Sequence, residues 1–546
     1  MKQIIFFFIL ITLSSCNVKQ RVDLIIYNAI VYTVDEKFSI AESFAINNGK
    51  IIKVGGNQEI LNYYTSFKKV DAKKSPIYPG FIDAHCHFYH YGLNKNRVDL
   101  VETNSFTEVI EKIVLYNENN SSNWIIGSGW DQSKWDNKNF PDNSKLDSLF
   151  PKNPVLLWRI DGHAALVNSK ALELANITTK TNVDGGKIII ENNSLTGILI
   201  DNAINLVSNL IPKPSVNEQV KALLSAQKEC FQFGLTTVND AGLDFNIVQT
   251  IDSLQKNNVL KMKIYAMLND NKTNKTHYFR NGPYRTNRLN VSSFKAFADG
   301  AMGSRGACLL EEYSDKKNHF GFLLNTKKHF EKIAEQCLKN NFQLNVHCIG
   351  DSSLRLILNI MSNKLSKNND KRWRIEHAQL FHPFDLQKIK EYNIIPSMQP
   401  THATSDMIWI HDRLGIDRAQ YAYALKTLKS YSGIIALGTD FPVEKINPFL
   451  TFYASVARKN AKGIPENGFQ IENALSRIET LKGMTIWAAY SNFEENEKGS
   501  IQEGKYADFI ILDNDIMQIK EEEILNTNVL KTYINGEIVY NKTTAK

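Results

Sequence analysis

Eight short apolar runs recur along the middle of this chain, each closing on a polar residue or a glycine turn. They are IYPGFIDAH from Ile77, GLTTVNDAG from Gly234, KMKIYAML from Lys261, SFKAFADG from Ser293, FQLNVH from Phe342, RWRIEH from Arg372, NIIPSMQ from Asn393 and GIIALGTD from Gly433. Helical stretches separate them. That alternation predicts an α/β fold, a (β/α)₈ TIM barrel, whose strand ends converge on one mouth. Between the first and second runs the chain is far too long for a single βα connection. An inserted subdomain at about residues 92–222 is therefore expected after the first barrel strand.

The chain ends follow a different pattern. VDLIIYNAIVYTV from Val22 and SFAINNGKIIKVG from Ser43 read as strands, with a hairpin signal at Asn47-Asn48-Gly49. ADFIILD and VLKTYINGEIVY repeat the style, with a second Asn-Gly turn at Asn535-Gly536. Both ends together predict one β-sandwich, with residues 16–76 and 491–546 flanking a barrel over 77–490.

Candidate chemistry sits where the strands end. In a strand, residues i and i+2 share a face, so His85 and His87 project together and Cys86 turns away. Two imidazoles on one face can hold a metal ion, although H-x-H also arises in polar loops. His347, His377 and Asp440 close three further runs. Asp440 also suits a helix cap. Lys295 lies inside an apolar strand, where an ammonium is costly unless paired, with Asp299 for example, or modified.

Composition narrows the class. The 546 residues are 43% hydrophobic and 22% charged, which fits a multi-domain globular protein. The net charge of +7 comes from lysine and arginine spread along the chain, without a basic block, so no nucleic-acid partner is expected. At the start, Lys2 precedes the apolar run Ile4–Leu13, which is too short to span a bilayer, and Leu13-Ser14-Ser15-Cys16 follows. This resembles a bacterial lipoprotein signal over residues 1–15. It implies lipidation of Cys16, a membrane anchor and a cell-envelope, periplasm-facing location. The remaining cysteines are odd in number and lack close pairing, so no disulfide framework is expected.

PGFIDAHCH, KAFADGAMGSR, NVHCIGD, RIEHAQ and LGTDFPV together resemble the amidohydrolase superfamily. GWDQSKW and RIDGHAALVNSKAL resemble its branch of N-substituted formamide deformylase and YtcJ-like proteins. The resemblance implies that His85, His87 and Asp440 hold one metal and His347 and His377 a second, with Lys295 bridging as a carbamate formed with carbon dioxide. Zinc suits imidazole and carboxylate ligands, and manganese or iron can occupy similar sets. The implied reaction is hydrolysis of a C–N bond in an amide-like small molecule by metal-bound hydroxide, with Asp440 moving the proton. Trp130, Arg159, Asp161, His163 and His402 are candidates to contact substrate, although the inserted residues can equally hold the insert to the barrel. A ring deaminase is the nearest alternative, but CIGDSSLRL lacks the expected glutamate and leaves only Asp351 as an acid. A metal-containing lipoprotein that binds without catalysis is the alternative of another class.

Overall fold

The computed structural model describes residues 19–120 and 123–542. The signal-like stretch and Cys16 lie outside the described residues. No helix among the described residues is long and apolar enough to cross a membrane.

The eight apolar runs form eight parallel strands: β1 (Phe81–Cys86), β2 (Leu235–Leu243), β3 (Lys263–Asn269), β4 (Leu289–Phe297), β5 (Gln343–Cys348), β6 (Arg374–His377), β7 (Ile395–Met398) and β8 (Ala436–Leu437). Every residue of β1, β2 and β5 is buried, as expected for parallel strands covered on both faces. The covering helices present apolar stripes at helical spacing. Helix Lys327–Lys339, for example, buries Phe330, Ile333, Ala334 and Cys337.

Because β8 has only two residues, the ring is completed just beyond it. The Asp440 N–H donates to the His85 carbonyl at 2.8 Å, and the His87 N–H donates to the Phe441 carbonyl at 2.8 Å. The buried Asp83 carboxylate accepts the Thr439 N–H at 3.0 Å and the Thr439 hydroxyl at 2.7 Å. Gly438 allows this approach, since a Cβ there would lie 2.5 Å from the His85 nitrogen. The seam therefore holds His85, His87 and Asp440 together.

The two chain ends build one sandwich. A four-stranded sheet runs in the order Lys50–Gly55, Ser43–Asn47, Leu24–Tyr27, Lys69–Asp71. It faces a six-stranded sheet that mixes Ile30–Tyr32 and Pro76–Pro79 with Phe509–Leu512, Val529–Ile534 and Glu537–Asn541. Phe44 and Phe509 meet edge to face with centroids 5.0 Å apart, joining residues from opposite chain ends. Both Asn-Gly turns adopt the left-handed backbone of a tight hairpin, with φ of 50° and 73° at Asn48-Gly49 and 51° and 72° at Asn535-Gly536.

Between β1 and β2 stands a separate six-stranded mixed sheet, in the order Val98–Asp99, Ile125–Trp130, Val155–Arg159, Ala164–Val167, Ser194–Asp201, Gly186–Glu191. Alternation splits its side chains between two cores, Leu157 and Leu166 on one face, Leu156 and Val167 on the other. The described cysteines are all free thiols.

Candidate metal centre

At the C-terminal ends of the barrel strands, side chains from six strand ends and the insert converge. His85, at the end of β1, is fully buried, and its Nδ1 lies 2.5 Å from Glu376 Oε2. Its Nε2 therefore faces inward, 3.7 Å from Asp440 Oδ1 and 3.3 Å from the Lys295 amine. His87 Nε2 lies 3.3 Å from the same Asp440 oxygen. His85, His377 and Asp440 offer ligand atoms within 4.8 Å of one another, and all three are buried. His347 continues the row, its ring centroid 4.6 Å from that of His377.

His377 stands between the two groups implied by the family resemblance, its ring centroid 4.6 Å from those of both His85 and His347. His377 stands with His85 and Asp440, and the row His87, His85, His377, His347 is continuous. His377 and Asp440 both leave extended backbone, with φ of 70° and 64°. Left-handed backbone at a non-glycine residue is costly and persists where the surroundings enforce it, often at functional sites.

The protonation of the cluster suits a cation. Burial, then the Lys295 charge, pushes the His85 imidazole down to about 4 against the opposing pull of Glu376 and Asp440. Burial and neighbouring imidazoles hold His347 and His377 well below the ordinary histidine range. Neutral imidazoles carry the lone pair that a metal needs. His377 Nδ1 lies 2.8 Å from Gln399 Oε1 and His85 Nδ1 faces Glu376, which orients both rings and leaves His85 Nε2 beside the Lys295 amine. His402 has the opposite polarity. Its Nδ1 accepts the Gln379 amide at 2.9 Å, leaving an Nε2–H that faces Asp440 Oδ2 at 3.5 Å.

Burial raises the Asp440 carboxyl, but His87, 3.3 Å from Oδ1, and the charges of His85 and His402 outweigh it and hold the group below the usual carboxylate range. Asp440 Oδ1, His347 Nε2 and His402 Nε2 are buried without a hydrogen-bond partner. Of these, Asp440 Oδ1 and His347 Nε2 can offer a lone pair, and unpartnered donors of that kind in one buried pocket fit a divalent cation. The donor set therefore fits a metal.

Lys295 is fully enclosed on β4, and burial pushes its amine down to about 8 despite Glu376 and Asp440. Its polar neighbour is His85. Asp299 spends its carboxylate elsewhere, accepting the N–H groups of Ile349, Gly350 and Cys308 and the Ser353 hydroxyl. Asp351 accepts the Leu310 N–H at 2.9 Å and so holds a loop.

The insert supplies the remaining candidates unevenly. Trp130 sits in the inserted core with its indole N–H on the Leu157 carbonyl at 2.8 Å. The buried Arg159 guanidinium is spent on Gln132, Asp131, Ser133 and Asp161, which fixes Asp161 as well. His163 alone among the inserted candidates reaches the row, its ring centroid 5.0 Å from that of His347.

Sequence reasoning missed Glu376, Arg374 and His90. The first two form a buried pair at 2.8 Å inside β6, and Glu376 orients His85. The argument that singled out Lys295, a charge in an apolar strand, applies equally to both. His90 stands 6.1 Å from His87 between ring centroids.

The comparisons with known proteins agree with this geometry. The amidohydrolase family model matches residues 68–540. The chain belongs to the amidohydrolase family. It is 31% identical to Protein LONG AFTER FAR-RED 3 of Arabidopsis thaliana, covering 95% of this chain and 91% of that one. It is 26% identical to N-substituted formamide deformylase of Arthrobacter pascens, covering 96% and 99%. Among solved structures, an uncharacterized metal-dependent hydrolase from Pyrococcus furiosus matches with a TM-score of 0.72 and 27% identity, over 91% of this chain and 100% of that one. A metal-dependent hydrolase on an amidohydrolase barrel is the function these findings support.

Proposed function

We propose that this amidohydrolase cleaves the C–N bond of an N-acyl or N-formyl amine. The observation that carries the reading is the meeting of His85, His377 and Asp440 within 4.8 Å, with Lys295 3.3 Å from His85. The deformylase relative supports the choice of bond. His85, His87, His347, His377 and Asp440 would hold one or two divalent cations, zinc by ligand type. When bound, such a cation polarises a carbonyl and makes water acidic enough to act as a nucleophile near neutral pH.

The chain's own groups supply the rest. Asp440, kept ionised by its histidine neighbours, accepts a proton from the attacking water and returns it to the leaving nitrogen. His402 turns its Nε2–H toward the second Asp440 oxygen, 3.5 Å away. Glu376 keeps His85 in the tautomer that points Nε2 inward. Burial brings the Lys295 amine down to about 8, which enlarges the share of neutral amine that can react with carbon dioxide and supports a Lys295 carbamate as an oxygen ligand.

The test is metal analysis of purified protein lacking residues 1–16, native mass of the same sample, and turnover of a panel of formamides and acetamides. Two metals per chain, carbon dioxide on Lys295 and amide turnover would support the binuclear form. One metal and an unmodified lysine, with activity on cyclic amidines only, would move the reading to deamination. A chain that binds no metal after reconstitution would leave the binding lipoprotein. The anchor belongs to the same proposal: labelled fatty acid should enter the full chain and not Cys16→Ser.

A further inference from the structure

The row of histidines does not end in the barrel. His163 comes from the inserted sheet, and its Nδ1 lies 2.6 Å from Asp201 Oδ1. Its ring centroid stands 5.0 Å from that of His347, and among the described residues no hydrogen bond is made by its Nε2. The ring retains partial exposure, while Asp201 is 7% exposed, so the imidazole edge borders the pocket and its carboxylate partner is buried behind it.

Asp201 is held with unusual care. It ends the strand Ser194–Asp201 with φ of 51°, and its second oxygen is buried without a hydrogen-bond partner. Gly300 and Gly306, on the barrel loop after β4, press against that carboxylate. A Cβ at either would come within 2.3 Å and 2.4 Å of it. A buried carboxylate with one free oxygen is costly, and the interaction it retains is with His163. The arrangement repeats Glu376 and His85, where a buried carboxylate takes Nδ1 and directs Nε2 toward the centre.

We propose that His163 and Asp201 form a dyad by which the inserted domain contacts the scissile amide: His163 meets the substrate through Nε2, and Asp201 is the residue that positions it. This rests on the amide-hydrolase reading. Arg159, with its guanidinium spent within the insert, is not the substrate contact. The barrel thus supplies the metal donors, and the insert supplies a substrate contact on the His347 side.

The test uses metal-loaded protein, formanilide as probe, and the variants Asp201→Asn, Asp201→Glu and His163→Gln. Asparagine keeps the shape of Asp201 and tolerates its left-handed backbone. Expected are unchanged metal content and melting temperature, at least about a tenfold fall in kcat/KM for Asp201→Asn and His163→Gln, and partial recovery in Asp201→Glu. Nitrogen-15 NMR of labelled histidine should find a protonated, hydrogen-bonded Nδ1 on His163, lost in Asp201→Asn. Catalysis within twofold of wild type in both variants would overturn the dyad. Loss of metal in proportion to loss of activity would also overturn it, by making His163 a ligand. If the wild-type protein hydrolyses no formamide, the hydrolase reading fails separately. The dyad is then judged by the ring: an Nε2–H tautomer, or no shift of His163 on adding formanilide, sinks it.

Discussion

At the sandwich end of the barrel, Lys263 and Asp508 face each other at 2.5 Å, both buried, with the Lys263 amine 4.0 Å from the Tyr506 ring centroid. Nearby, Asn239 and Asn492 exchange hydrogen bonds at 2.8 Å, and Gln343 joins the Tyr265 hydroxyl to the Ser491 carbonyl. At the opposite mouth, Asp440 Oδ1, His347 Nε2 and His402 Nε2 are equally buried and have no such partner. Both ends carry polar residues in a low-dielectric interior, where an unpaired group is costly. One end closes its polar groups on one another; the other leaves them open to a ligand. Single unpartnered atoms also occur elsewhere, such as Ser293 Oγ and Asn535 Oδ1, so what marks the working end is the gathering of ligand-type groups at one point.

Substitutions at the two ends should fail in different ways. The largest effect is expected from Asp440→Asn, which keeps the shape of the side chain and removes the proton acceptor. The metal-loaded variant should lose about 10²- to 10⁴-fold in kcat. A fall of less than tenfold would remove Asp440 from proton transfer. At the closed end, Lys263→Met strands the Asp508 charge and should cost about 3–5 kcal/mol in urea unfolding, since breaking one side of a buried pair leaves the other unpaired. A loss below about 1 kcal/mol would mean that Asp508 finds another partner, and that this end is not closed as described.

Glu376 belongs to both ends, because it pairs with Arg374 below and His85 above. Burial raises its carboxyl, but Arg374, His85 and Lys295 prevail and bring it down to about 2. Its folded-state value is thus below the unfolded one. Its stabilising contribution is complete above the ordinary glutamate range, near pH 4.5, and is lost as pH falls toward 2. Metal-free wild type and Glu376→Gln should differ most in stability near neutral pH and converge on acidification. A constant difference across that window would contradict the assignment. The smallest effect is expected from Trp130→Phe, which removes one buried hydrogen bond to Leu157. It should cost about 1 kcal/mol in thermal unfolding and leave kcat/KM within twofold. A large fall in activity with unchanged stability would return Trp130 to the pocket.

How much of the site could be read in advance differs from residue to residue. His85, His347, His377 and Asp440 each close an apolar run, and a parallel barrel brings such ends to one place, so their meeting was legible. Glu376 was visible as a charge in RWRIEH, yet its target, His85, is 291 positions away. His402 carried only its position after a strand, and His163 only the family resemblance. Asp201 gave no signal, since what singles it out is contact with Gly300 and Gly306 from another part of the chain.

The sequence by itself determined the eight strands, both Asn-Gly hairpins and the location of most candidate metal donors. Those depend on periodicity and turn chemistry within a few residues, which the local chain dictates. Only the tertiary structure decided that His377 groups with His85 and Asp440, that Arg159 is spent inside the insert, and that His163 reaches the barrel. Those outcomes depend on which distant carboxylate lies beside which imidazole. Barrel closure at Gly438 and packing of the insert fix that proximity, and short-range patterning does not encode it.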